Sequence, residues 1–224
     1  MMINKKILSS AIFSALLTSS AAFADGAPMY KVTITNLTNA INLTPIIVSS
    51  HRRGVAIFEA GSAASDELSA IAEGGNTAPL AATLGANNKV EDVQTSAGLL
   101  GPGQSTSVMV SAKHGARWIS LASMMLPTND GFIGLSSVKV SKHGVSTFYS
   151  PGYDAGTETN DELCISIPGP TCGGEPFSPS DDGEGYVHIN RGIHGIGDLA
   201  PDVYDWRNPV VKVTVQRMRY SGDE

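Results

Sequence analysis

Short segments along the chain alternate apolar and polar residues, which is the pattern of a β-strand with one buried and one solvent-facing side. The clearest is residues 211–216, where three valines fall on one face and Lys212, Thr214 and Gln216 on the other. Residues 30–35 alternate in the same way. Further runs rich in β-forming residues lie at 46–48, 107–110, 118–121 and 137–140. Strands are therefore expected along most of the chain.

One early stretch predicts a helix. Ser65 can cap its start, and Gly74 and Gly75 can end it. Acidic residues follow the cap, near the positive end of the helix dipole, and apolar residues then recur at helical spacing at Leu68, Ile71 and Ala72. Residues 79–84 predict a further helical turn.

The order of these elements indicates the fold class. Strands separated by loops rich in Gly, Pro and Asn, with helices in one early stretch, predict an all-β antiparallel β-sandwich with one or two short helices in its loops. No linker-like tract interrupts the chain, so we expect one domain over residues 25–224 with its core at about 29–220. Residues 168–185 are poor in apolar side chains and predict a long surface loop.

The first 24 residues have the three zones of a secretory signal peptide. Lys5 and Lys6 precede an apolar run at 7–22, and Ala22-Phe23-Ala24 offers the small residues that signal peptidase requires. An uncleaved membrane anchor is the alternative, but it would need about 20 strongly apolar residues, and six Ser and Thr residues dilute this run. No later stretch is apolar for long enough to span a bilayer. We expect an exported, soluble protein, periplasmic or secreted.

The charge of the chain argues against nucleic acid as a partner. Its 224 residues include 15 basic and 21 acidic side chains, for a formal net charge of −6 at pH 7. Loss of residues 1–24 would remove two lysines and no acids, leaving a net charge of −8. Binding to nucleic acid requires surfaces rich in Lys and Arg.

The chain has two cysteines, Cys164 and Cys172, separated by seven residues. Export to an oxidising compartment favours a disulfide between them. A redox or metal pair is the alternative, but the spacing is not that of a CxxC motif. We therefore expect a structural disulfide at the base of the 168–185 loop.

The order of several motifs resembles the spondin N-terminal domain family, found in animal matrix proteins and in many exported bacterial proteins. The similarity starts at residues 30–38 and continues through 68–75 and a turn at 100–103 that is similar to the family's L-x-P-G turn. Its most specific parts are ISLASMMLPTNDGFIG at 119–134 and YDAGTETN at 153–160, and it ends with the strand at 211–217. The resemblance implies a β-sandwich similar to C2 domains.

Acidic residues in the loops raise the question of calcium, which takes six to eight oxygen ligands. The segment from Asp154 fails as an EF-hand loop because Ile165 would occupy the position of the last, bidentate ligand. A looser site shared by Asp130, Asp154 and Glu158 requires two loops to converge. The alternative is that these side chains close turns by accepting hydrogen bonds from nearby backbone amides.

The resemblance bears on calcium in a second way. Animal members of the family hold calcium at one tip of the sandwich, and their acidic ligand positions align with Val110 or Ser111, Lys139 and Gly144. None of these residues offers a carboxylate, so the resemblance implies that the family's calcium site is lost here. No resident cofactor is expected.

The chain shows no sequence motif of a catalytic site. The five histidines are scattered without zinc-binding spacing, and His51 is expected to be a hydrogen-bonded residue at a strand end. There is no G-x-S-x-G motif, and the Gly-rich residues 192–197 are interpreted as a turn, since they do not follow a strand–helix pattern.

Two hypotheses about function remain. The first is a non-catalytic binding or adhesion module that recognises a glycan, a matrix component or a partner protein of the envelope or extracellular space. The second is an exported metal-dependent hydrolase that uses Asp130, Asp154 and Glu158 with one histidine. The first is favoured because it needs no catalytic residues and agrees with the family resemblance.

The signal peptide gives the first prediction. The exported protein is expected to begin at Asp25, because the Ala-x-Ala site ends at Ala24. Intact-mass measurement of material from the envelope fraction checks this, and a mass that retains residues 1–24 would contradict it.

Overall fold

The computed structural model describes residues 27–177 and 182–218. The expected signal peptide at 1–24 and the cleavage site before Asp25 lie outside these residues. Within the described part of the chain, no helix is both long enough and apolar enough to cross a membrane.

Eleven strands account for most of the regular structure of the described residues. They are β1 (Met29–Asn36), β2 (Asn42–Leu43), β3 (Ile47–His51), β4 (Val90–Thr95), β5 (Ser105–Ser111), β6 (Trp118–Leu126), β7 (Gly131–Lys139), β8 (Val145–Ser150), β9 (Gly152–Asp154), β10 (His188–Ile189) and β11 (Val211–Met218). The helices are α1 (Asp66–Gly74), α2 (Ala78–Gly85) and α3 (Pro201–Tyr204), with a 3-10 turn at Cys164–Ser166.

The strands form two antiparallel sheets. The smaller sheet has the order β5-β1-β11-β8, and the larger has the order β10-β9-β7-β6-β3-β4, with β2 paired to β6. Apolar side chains from facing strands of the two sheets form the main core, among them Val32, Ile34, Leu121, Ile133 and Val213. This architecture confirms the predicted all-β antiparallel sandwich.

The α1–α2 hairpin covers the outer face of the larger sheet. Ile71, Leu80 and Leu84 from the two helices pack against Ile47 of β3 and Ala122 of β6. As a result β3 is buried along its whole length, and β6 at every residue except Trp118. Strands covered on both faces need not alternate apolar and polar residues, whereas β1 and β11, with one open face, do.

The first helix begins and ends where the sequence predicts. The hydroxyl of Ser65 accepts a hydrogen bond from the backbone N–H of Leu68 at 3.3 Å, as an N-cap does. Gly75 adopts a φ of 63° and donates its N–H to the carbonyl of Ile71 at 2.8 Å. This left-handed conformation favours glycine, because a Cβ would clash with the backbone.

The structure adds elements that the sequence patterns did not indicate. These are the strands β2, β4, β8, β9 and β10, and the single-turn helix α3, which lies outside the early helical stretch. The smallest of them, β2, β9, β10 and α3, span two to four residues each, which is too short for a periodic pattern to be recognised.

Three aromatic rings fix the position of β9 against β7. The ring of Phe132 stacks on Tyr153 at a centroid distance of 5.4 Å, and Phe58 contacts both rings edge-on at 5.2 and 4.9 Å. Phe58 also lies over Gly134, where a Cβ would come within 2.6 Å of the ring. The packing of the three rings holds β9 against β7. Asp154, the last residue of β9, therefore pairs with Gly131 at the start of β7.

The disulfide between Cys164 and Cys172 is present, which confirms the predicted pairing. Residues 168–177 and 182–187 contain no helix or strand, in agreement with the surface loop expected here.

Candidate functional site

One end of the larger sheet gathers loops from three parts of the chain. We call it the loop end and define it by residues 127–130, 154–163 and 182–198. The backbone N–H of Ala155 donates to the carbonyl of Asp130 at 3.2 Å, and that of Gly185 donates to the carbonyl of Gly156 at 2.8 Å. The two loops that carry the acidic candidates therefore converge.

Asp130 lies at the centre of the loop end and is fully buried. Its Oδ2 accepts hydrogen bonds from the backbone N–H groups of Thr157, at 2.7 Å, and Glu158, at 3.1 Å. Its Oδ1 has no hydrogen-bond partner among the described residues. Burial raises the pKa of Asp130 above its usual value, against the opposing effect of the two backbone hydrogen bonds.

Asp154 is 1% exposed and joins three segments. Its Oδ1 accepts the N–H of Gly156 at 2.9 Å, which closes a turn, while Oδ2 accepts the side-chain amides of Asn160 at 2.9 Å and Asn190 at 3.2 Å. Burial first, and then the negative charge of Asp130, raise the pKa of Asp154 to about 7.

Glu158 is also buried, at 1% exposure, and its backbone N–H is one of the donors to Asp130. A further carboxyl reaches this region from α1: burial and the charge of Asp130 raise the pKa of Glu73, although a hydrogen bond with Thr157 lowers it. Asp130, Asp154 and Glu73 are thus buried acids whose ionised forms are disfavoured.

The structure groups the potential metal ligands differently from the sequence analysis. Among the described residues, the ligand atoms that lie within 4.8 Å of one another belong to Asp154, Glu184 and His188. Of the three sequence candidates only Asp154 is in this group, while Asp130 and Glu158 are not.

His188 is held at this position by β10, where it pairs directly with Asp154 of β9. Its Nδ1–H donates to the carbonyl of Ile189 at 3.0 Å, and its Nε2 lies 3.5 Å from Asp154 Oδ1 and 3.6 Å from Glu184 Oε2. Burial lowers the pKa of His188, but the hydrogen bond to Ile189 and the charges of Asp154 and Glu184 outweigh it, so that the pKa is raised overall.

Sequence reasoning missed Glu184 and His188 because neither belongs to a motif. Their four-residue separation is the one local signal that could have paired them. Their approach to Asp154 depends on the two-residue strand β10, which no sequence pattern indicates.

An open cavity of about 410 Å³ adjoins this group. Its lining combines Asp154 and Glu184 with the polar side chains of Asn160 and Arg191 and with the apolar side chain of Ile196, which is 69% exposed. The cavity therefore offers hydrogen-bond donors, carboxylates and an apolar contact within one concave surface.

Glu162 holds the Gly-rich residues 192–197 in place. Its buried carboxylate accepts backbone N–H groups from three successive residues, His194, Gly195 and Ile196, the latter two at 2.7 and 3.0 Å. Glu162 itself has a φ of 57°, a conformation that glycine would adopt with less strain. Glycine has no carboxylate and could not accept these three hydrogen bonds. The need to bind the three amides therefore explains why a glutamate occupies this position.

His51 is buried at the end of β3, away from this cavity. Its Nδ1–H donates to the carbonyl of Arg52 at 2.9 Å, and its Nε2 accepts the hydroxyl of Ser120 at 2.9 Å. Burial lowers the pKa of His51, although the hydrogen bond to Arg52 raises it. Both ring nitrogens are therefore used in structural hydrogen bonds of the neutral form.

The positions that the family resemblance assigns to the calcium ligands of the animal proteins, Val110 or Ser111, Lys139 and Gly144, lie at the other end of the sandwich. Ser111 ends β5, Lys139 ends β7 and Gly144 precedes β8, whereas Asp130 precedes the start of β7. Ser111 is hydrogen-bonded there to Asp92 and Glu91 of β4, and Glu91 also contacts the exposed His114 at 2.7 Å.

The fold and the site define a class: a two-sheet antiparallel sandwich with a helical hairpin on one sheet and a polar, loop-built cavity at one end. A family model named Spondin_N matches residues 29–160. The chain therefore belongs to the Spondin_N family. A search of curated proteins gave no significant match. The family match includes Asp130, Asp154 and Glu158, and it ends before the disulfide, Glu184 and His188.

Glu162 provides a test of how the loop end is held together. Glu162→Gln is expected to lower the free energy of unfolding by about 1–3 kcal/mol, because an amide replaces a charged acceptor of three partly buried backbone hydrogen bonds. Asp202→Asn, an exposed acid in the first turn of α3, serves as the control. Urea unfolding of both variants measures the effect, and equal stability of the two would contradict it.

The raised pKa of Asp154 predicts that the free energy of unfolding falls as the pH rises. The measurement includes a chelator so that no metal ion binds to the carboxylates. A carboxyl whose folded pKa is raised stabilises the fold fully below its unfolded value near 3.8, and this contribution is lost as the pH rises through about 7. At about 1.4 kcal/mol per pKa unit, Asp154 accounts for a loss of up to about 4 kcal/mol.

The variant Asp154→Asn separates this effect from those of other groups. The difference in unfolding free energy between wild type and variant is expected to shift in favour of the variant between pH 4 and pH 8. Urea titrations at a series of pH values measure it, and a difference that does not change with pH would show that Asp154 is not responsible.

Proposed function

We propose that this protein is an exported, non-catalytic adhesion-type module of the periplasm or the extracellular space. It recognises a protein of the envelope or extracellular matrix, or a glycan, through the loop end. The observation that carries the proposal is membership of the Spondin_N family, a non-enzymatic domain type.

The geometry of the loop end supports a role in binding. Side-chain amides, the Arg191 guanidinium and the exposed Ile196 surround the cavity of about 410 Å³, and Tyr186 and Ile189 nearby along the chain are 47% and 48% exposed. Loops that are held on a rigid scaffold are the usual carriers of recognition, and Glu162 holds residues 194–196 on this one.

The hydrolase hypothesis is less well supported. Asp130 and Glu158 are 0% and 1% exposed, and one oxygen of Asp130 is occupied by two backbone amides. Carboxylates that accept backbone hydrogen bonds inside the protein are poorly placed to activate water on a substrate.

Export is supported by the disulfide, since disulfides persist in oxidising compartments. The acidic net charge supports a partner other than nucleic acid.

The test compares binding by two ends of the molecule. The probes are a glycan array and intact cells of the producing strain, each incubated with the fluorescently labelled exported protein. Arg191→Ala combined with Ile196→Ser, both exposed at the loop end, is expected to reduce binding at least about tenfold, as loss of central contact residues does.

The matched control is Val145→Ser, because Val145 is 56% exposed and lies at the opposite end of the sandwich. It is expected to bind as the wild type does. Absence of binding to both probes, or equal binding by the loop-end variant and the wild type, would contradict the proposal.

A further inference from the structure

Three side chains at the loop end have the arrangement of metal ligands. The Nε2 of His188 lies 3.5 Å from Asp154 Oδ1 and 3.6 Å from Glu184 Oε2, and all three ligand atoms fit within 4.8 Å. Ligands that bind a tetrahedral zinc ion at 2.0–2.2 Å are separated by about 3.3–3.6 Å. The separations of 3.5 and 3.6 Å match this value and are longer than well-formed hydrogen bonds.

The imidazole of His188 is oriented as metal-binding histidines are. Its Nδ1–H donates to the carbonyl of Ile189 at 3.0 Å, so that a metal ion which displaces the proton of Nε2 would meet a lone pair directed at the two carboxylates. Donation of the other ring N–H to a carbonyl or carboxylate is the usual support of a histidine ligand.

The Nε2 of His188 is a buried atom with no hydrogen-bond partner among the described residues. Buried polar atoms without partners are uncommon in folded proteins and call for a physical explanation. Two carboxylates lie 3.5 and 3.6 Å from this nitrogen, within ion-pair range but farther than well-formed hydrogen bonds. A cation between the three groups would give each of them a closer partner.

The carboxylate of Asp154 is supported from behind. Its second oxygen, Oδ2, accepts hydrogen bonds from the amides of Asn160 and Asn190, and Oδ1 accepts the N–H of Gly156 while it faces His188. Such outer contacts fix the position of a ligand before the metal binds.

We propose that Asp154, Glu184 and His188 bind one divalent metal ion of the zinc class. An imidazole ligand favours zinc and related transition metals, whereas calcium takes oxygen ligands. Two carboxylates and a neutral imidazole carry a charge of −2, which the ion balances. The site is independent of the proposed binding function, whose test variants Arg191 and Ile196 are not ligands.

This site is distinct from the calcium positions of the animal proteins. By the family resemblance those positions correspond to Val110 or Ser111, Lys139 and Gly144 at the opposite end of the sandwich, while Glu184 and His188 lie beyond the residues that the family model matches. Three protein ligands leave a zinc ion with an open coordination position, and the cavity next to Asp154 and Glu184 gives water or an oxygen ligand access to it.

The test uses the full exported protein after treatment with EDTA and removal of the chelator. Titration calorimetry with ZnCl₂ is expected to show one ion bound per chain. Glu184→Gln and His188→Gln are each expected to weaken binding at least about tenfold, since loss of an outer-shell contact alone costs 10–100-fold. Glu184 lies in an exposed loop, so its substitution leaves the fold intact.

The control is His114→Gln, which removes a histidine–glutamate contact at the opposite end of the sandwich, between His114 and Glu91. It is expected to bind zinc as the wild type does, and Co²⁺ substituted for zinc is expected to lose its tetrahedral absorption bands only in the Glu184 and His188 variants. Zinc binding that is absent, unchanged in those variants or lost in His114→Gln would overturn the proposal. Tighter binding of CaCl₂ than of ZnCl₂ would overturn the assignment to the zinc class.

Discussion

The loop end depends on the need to satisfy backbone amides that no sheet or helix can satisfy. Three buried carboxylates meet that need: Asp130 accepts two amides, Asp154 accepts one, and Glu162 accepts three. Unpaired buried amides are costly, so these side chains determine the path of the loops. Burial raises the pKa of Asp130 and Asp154, and neighbouring negative charges, that of Glu184 on Asp130 and that of Asp130 on Asp154, raise it further.

The negative charge at the loop end affects both the stability of the loops and the binding of a cation. A cation near Asp154 and Glu184 would relieve the repulsion among the buried acids, so metal affinity and the stability of the loop end are expected to be coupled. The cavity beside them is lined by residues from both sides of the family boundary, Asn160 within it and Arg191 beyond it.

The sequence predicted strands correctly where one face of the strand is exposed to solvent. The alternation in residues 30–35 and 211–216 identified β1 and β11, and Ser65, Gly74 and Gly75 located α1. It was less informative for β8, whose exposed face carries Val145 and Tyr149, because apolar residues on the wet side obscure the alternation. In the site, Asp154 was selected from its loop, but Glu184 and His188 approach it only through tertiary pairing of β9 and β10.

The strand order of the smaller sheet has a consequence for how the chain assembles. The last strand, β11, lies between β1 and β8 and pairs with both. Until it is in place, the first strand has only β5 beside it and β8 has no neighbour in that sheet. Because contacts so distant in sequence form slowly, the smaller sheet stays incomplete until residues 211–218 reach residues 29–36 and 145–150. Closure of the sandwich is therefore expected to be a late step of folding.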